Sequence, residues 1–160
     1  MTAAQQIAAW AAALRPDDVP AGVRVAAELH ALDAAGCALA AHGLGEGGAV
    51  RALAEEEAGA PQATALGVAA KVPAATAALV NGTLAHALDF DDTHDEAVCH
   101  VSAVVTPAAL AAGEAANAAP ADVLTAIVAG NEVVCRIGQA AKHGFHARGF
   151  HPTSVCGVFG

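Results

Sequence analysis

The chain has 160 residues, long enough for one core-bearing domain, and it is 56% hydrophobic but only 3% aromatic, so its core must be built from Ala, Val and Leu. A formal charge of −9 with only 7 Lys and Arg excludes nucleic acid as a partner, because phosphate neutralisation needs clustered basic side chains. No apolar run reaches the about 18 residues of a membrane span, and the start MTAAQQIAAW has neither a basic region nor a cleavage signal, so a soluble cytoplasmic protein is expected.

Thr2 and Gln5 fit a capping box, and a first helix is expected to about Leu14. Arg15-Pro16-Asp17-Asp18 breaks it, and Pro20 suits the first turn of a second helix. Val23, Ala26, Leu29, Leu32, Gly36 and Leu39 recur at helical spacing along that helix, which Gly43 ends. His30 and His42 read as a surface histidine and a C-terminal one. The glycine-rich segment Leu44–Gly48 resembles GxGxG, but no strand precedes it, so it is read as a loop. A third helix is expected over Ala49–Ala58 with Glu55, Glu56 and Glu57 solvated, then a connector to Val72 with some extended character. Pro73 opens a fourth helix to about Leu88.

A loop from Asp89 to Thr106 follows, and Pro107 starts the next helix, to about Asn117. After Ala118-Ala119-Pro120, Asp122 suits the cap of a helix reaching about Gly144; Phe145–Ser154 reads as a loop. No alternating pattern supports a sheet, so the expected fold class is all-α. Cys37, Cys99, Cys135 and Cys156 form no CxxC pair and read as buried thiols in a reducing compartment. The chain stops at Val155-Cys156-Gly157-Val158-Phe159-Gly160 without a cap or polar tail, which reads as the N-terminal part of something longer.

The chemistry is concentrated in one polar run: Asp89, Asp91, Asp92, Thr93, His94, Asp95, Glu96 and His100. Asp91-Asp92-Thr93-His94-Asp95 matches the DDxxD pattern of all-α, magnesium-dependent isoprenoid synthases. Against that reading, the chain supplies no basic partner nearby for a diphosphate until Arg136, and few aromatics for a cavity. Another reading is a solvated acidic loop. The third is acid/base work. His100 lies in the uncharged Ala97-Val98-Cys99-His100-Val101-Ser102 and faces carboxylates, the setting in which an imidazole is tuned toward ambient pH. Asp89, first after an apolar helix, is expected to be partly buried; Thr93 and Ser102 offer hydroxyls to a substrate carboxylate. Lys142, His143, His146 and Arg148 form a basic patch that either attracts a polyanion or merely offsets a helix C-terminus.

The run Asn81-Gly82-Thr83-Leu84-Ala85-His86-Ala87-Leu88-Asp89-Phe90-Asp91-Asp92-Thr93-His94 resembles a signature of the MmgE/PrpD family. Gly149-Phe150-His151-Pro152-Thr153-Ser154 with Gly157 resembles its second signature; Leu32–Ala40 and Ile127–Val133 agree as well. That family includes 2-methylcitrate dehydratase, cis-aconitate decarboxylase and iminodisuccinate epimerase. The resemblance implies that residues 1–160 are the N-terminal part of a helical domain, in a homodimeric enzyme about three times as long with an α/β lid domain. It implies no metal and no organic cofactor, and proton transfer beside the carboxylates of a small di- or tricarboxylic acid, as in a dehydratase. By motif position, Asp89, His100 and His151 would be catalytic and Thr93 substrate-binding, with His94 competing with His100 for the acid/base role. The lid, with its lysine, would lie beyond Gly160. The 160-residue chain alone is therefore expected to be inactive and to expose apolar surface. A non-catalytic helical dimerisation module is the remaining alternative.

Overall fold

A computed structural model describes residues 1–57 and 59–160. Its helices are α1 (Ala3–Ala13), α2 (Ala21–Gly43), α3 (Gly48–Glu56), α4 (Ala74–His86), α5 (Ser102–Ala116), α6 (Pro120–Ala140) and α7 (Pro152–Gly157). Among the described residues, extended pairing is limited to two isolated bridges, Ala63 with Val72 and His94 with Cys99. The fold is all-α.

Local chemistry sets most of the boundaries. Thr2 accepts from the Gln5 N–H while the Gln5 side chain accepts from the Thr2 N–H, so the capping box forms. Pro20 and Pro73 stand just before α2 and α4, and Pro120 occupies the first turn of α6. Asp122 lies in that first turn instead of capping it, the cap position being Ala119. The third helix ends at Glu56; the expected end at Ala58 lies outside the described residues.

Two expectations are corrected around the polar run. Pro107 does not start a helix but sits inside α5, which begins at Ser102. A proline there deprives the Ala103 carbonyl of its helical donor. That carbonyl faces α4 at Gly82, where a Cβ would stand 3.1 Å from the Ala103 oxygen. The helix starts early because Asp92 caps it from a distance, its Oδ1 accepting from the Ser102 N–H at 3.1 Å and its Oδ2 from the Ser102 hydroxyl at 2.7 Å. Residues 145–154 are also not all loop: His146–Arg148 forms a 3-10 turn, and Pro152, fixed in φ, opens α7.

The core is made of small side chains. Ala34, Ala38 and Ala41 of α2 pack with Ala77, Val80 and Leu84 of α4 and with Ala103 and Ala111 of α5. The larger residues that mark helical spacing on α2 point the other way: Val23, Leu29, Leu32 and Leu39 are all exposed, as is Val25. A second cluster, Ala97, Cys99, Val101, Val105, Val134 and Cys156, clamps the end of the 87–101 loop among α5, α6 and α7. Gly138 permits this approach, since a Cβ on it would lie 2.6 Å from the Ala97 Cβ. None of the described helices is long and apolar enough to cross a membrane.

Candidate active site

The last turn of α4, the loop 87–101 and the start of α7 bring three imidazoles together. The ring centroids of His86 and His100 are 4.7 Å apart, those of His86 and His151 6.0 Å and those of His100 and His151 6.4 Å. Asp91 lies beneath the first two with its side chain wholly screened from solvent. Its Oδ1 is 3.0 Å from His86 Nδ1, and its Oδ2 is 3.3 Å from His100 Nδ1. The Asp91 carbonyl oxygen stands 3.2 Å from the same His100 nitrogen and the Thr93 hydroxyl 3.4 Å from it. Oxygen acceptors at Nδ1 favour the tautomer with the proton there, which leaves Nε2 as the working nitrogen of each ring. The His100 Nε2 is 3.5 Å from Asp89 Oδ1.

The loop is held in a strained shape. Asp89 and Val98 both have positive φ, 51° and 53°, a region that costs a β-branched residue most. At Val98 the shape is maintained by its N–H bonding the His94 carbonyl at 2.8 Å, and by the His94 N–H bonding the Cys99 carbonyl at 2.9 Å. The backbone N–H of His100 donates to Thr153 Oγ1 at 2.9 Å, tying the loop to α7. On the other side, Asp92 Oδ2 lies 2.8 Å from His30 Nδ1, and the Asp92 N–H donates to Asp33 Oδ2 at 3.2 Å, tying it to α2.

Asp89, His100 and His151 are thus brought to one place, with Thr93 at the His100 ring. His94 is not: its Nδ1 accepts from the Ala97 N–H at 3.1 Å and serves the loop's own turn. Asp89 is not partly buried as expected; its side chain is 80% exposed, because its left-handed backbone turns it outward. The DDxxD carboxylates do not converge, since Asp91 faces two histidines while Asp92 is engaged by Ser102 and His30. His30 is exposed, as expected, but paired. The sequence reading passed over His86 and gave Asp91 a role only in the magnesium pattern. The signal was present as a histidine ending an apolar helix with a carboxylate five positions on.

His86 and His151 line a cleft of about 600 Å³ together with Leu79, Gly82, Thr83 and Thr153. Burial lowers the His151 pKa, and the neighbouring His86, His100 and His146 lower it further. Burial pushes the thiols of Cys99 and Cys135 up to about 12 and about 11, so neither is a thiolate nucleophile at neutral pH. The patch of Lys142, His143, His146 and Arg148 is exposed in the turns after α6.

The sequence model of the MmgE/PrpD N-terminal domain matches residues 5–160. The chain belongs to the MmgE/PrpD family. Relatives of this MmgE/PrpD domain include the cis-aconitate decarboxylase-like protein oryM of Aspergillus oryzae, 30% identical over 92% of the chain and 32% of that protein. The cis-aconitate decarboxylases of Homo sapiens and Mus musculus are 39% and 38% identical over 56% of the chain, covering 20% and 19% of those proteins. The chain therefore spans about a third or less of the length of the curated relatives it matches.

Proposed function

We propose that the complete protein is a lyase or isomerase that moves a proton at a carbon next to a carboxylate of a small di- or tricarboxylic acid, with cis-aconitate and 2-methylcitrate as the first acids to test. The observation that carries this reading is the convergence of His86, His100 and His151 on one face, with Asp91 buried behind two of them. His100 serves as the acid/base. Its Nδ1 is held by Asp91, and its Nε2 takes or gives the proton beside Asp89. Thr93 and His151 bind substrate carboxylate or share the proton. A carbanion-like transition state needs positive charge nearby. Within this cluster only the imidazoles can supply it, so further cationic groups are assigned to the part of the protein outside this chain, together with the choice among dehydration, decarboxylation and epimerisation. Homodimerisation, a cytoplasmic location and independence of metal and organic cofactors belong to the same proposal.

The test follows the conjugated double bond of the acid by ultraviolet absorbance in the complete protein, with and without a chelator. Turnover that survives the chelator and is abolished by His100→Ala supports the lyase reading. Turnover lost to the chelator would move the assignment to metal-dependent chemistry. Kinetics unaffected by both Asp89→Asn and His100→Ala would leave only a helical dimerisation module. Turnover by the 160-residue chain alone would overturn the division of the site between this domain and the rest.

A further inference from the structure

We propose that His86, Asp89 and His100 also form a binding site for a zinc-like divalent ion, which inhibits the protein by occupying the acid/base. Each of the three offers a ligand atom, and these atoms all lie within 4.8 Å of one another. A tetrahedral zinc ion holds its nitrogen and oxygen ligands about 3.3 Å apart, as bond lengths near 2.0–2.2 Å require. The His100–Asp89 pair is already at 3.5 Å. Closing the trio onto one ion takes an inward shift of Asp89, whose side chain is exposed, together with a small approach of the two rings.

The surroundings of the ligands point the same way. Imidazoles that bind zinc almost always give their second nitrogen to a carboxylate or carbonyl, which fixes the ring and strengthens the donor. Here one buried carboxylate, Asp91, serves both rings at Nδ1, and its carbonyl oxygen adds a second acceptor for His100. Two imidazoles and one carboxylate favour zinc and its transition-metal neighbours over magnesium or calcium, which prefer all-oxygen sites. The site is thus chemically distinct from a DDxxD magnesium site. A zinc ion on His100 Nε2 uses the lone pair that would accept the substrate's proton. The ion is an inhibitor in this scheme, a designation that rests on the proton-transfer reading; the binding itself does not.

The test titrates tag-free protein with zinc alone by calorimetry and with cobalt alone by visible absorption. The expected result is one ion per chain, with a tetrahedral or five-coordinate cobalt spectrum that lacks the near-ultraviolet thiolate band. His86→Ala and Asp89→Asn should each weaken zinc at least about tenfold, and Asp91→Asn about 10- to 100-fold through the two rings it holds. Should His86→Ala not fold, Asp89→Asn decides, since its exposed position carries no core packing and asparagine tolerates positive φ. Unchanged affinity in Asp89→Asn, a thiolate band, or no binding would overturn the site. In the complete protein, zinc should abolish turnover and a chelator restore it; turnover insensitive to saturating zinc overturns the inhibitory role. Because the titration needs no turnover, failure to find a substrate is distinguishable from failure of the ion site.

Discussion

The carboxylate of Asp91 meets His86 Nδ1 at 3.0 Å with its own side chain wholly removed from solvent. A buried carboxylate is retained where its partners satisfy it, and here the partners are two rings of the candidate site. Asp91→Asn keeps the shape but replaces one acceptor oxygen by a donor amide. Turnover of the complete protein is expected to fall on the order of 100-fold, mostly in kcat, because the imidazole tautomers are no longer fixed. Nitrogen-15 shifts of His86 and His100 check the cause: a population of Nε2-protonated rings should appear. Unchanged shifts with lost turnover would mean that Asp91 acts only on folding.

Gly138 is closed by packing. A Cβ there would lie 2.6 Å from the Ala97 Cβ and 3.1 Å from Cys99 Sγ, both in the loop that carries His100. Gly138→Ala is expected to lose about 1–3 kcal/mol by overpacking, despite alanine's better helix propensity, and to lower the urea midpoint. A gain in stability would show that the loop yields without resistance.

Val98 is a β-branched residue at a φ of 53°. Val98→Asn, which enters that region more readily, is expected to stabilise the chain by about 1 kcal/mol. Chemical denaturation reads this directly. A loss of stability would assign Val98 a packing role larger than its strain.

His151 has a pKa lowered first by burial and then by His86, His100 and His146. The unfolded chain therefore binds this proton more readily than the folded one. Stability from this group is fully present above the ordinary value of 6.5 and is lost as pH falls through the lower, folded value. His151→Gln should flatten the slope of stability against pH below 6.5. An unchanged slope would place the acid sensitivity elsewhere.

The exposed stripe of Val25, Leu29, Leu32 and Leu39 on α2 should drive self-association of the isolated chain, because contiguous apolar patches seek cover. Leu32→Glu is expected to restore a concentration-independent sedimentation coefficient. A wild-type chain that sediments as a monomer at all concentrations would count against it.

Much of this was readable beforehand where one residue type dictates local geometry. Thr2 with Gln5 set a cap, and the prolines at 20 and 73 marked helix starts, whereas Pro120 read as a break although it opens α6. The two signature motifs contain Asp89, Thr93 and His151, and His100 follows the first of them by six positions. What escaped was set by distant contacts. The start of α5 depends on Asp92 folding back onto Ser102, so Pro107 looked like a beginning when it is an interior residue. The larger apolar residues of α2 give the helical spacing but not the core, which alanines occupy because they allow nearer approach. The exposure of Asp89 follows from a left-handed backbone that its sequence neighbours do not announce.

The alanine-lined junction of α2, α4 and α5 has a mechanical corollary. Alanine has no side-chain rotamer to change, so there is little in the junction that can be reset when a ligand arrives. A core of larger, jointed side chains can exchange one packing arrangement for another; here few side chains, Val80 and Leu84 among them, have rotamers to change. Adjustment on binding therefore falls to the loop from Ala87 to Val101, and it must occur without the helices beneath it sliding.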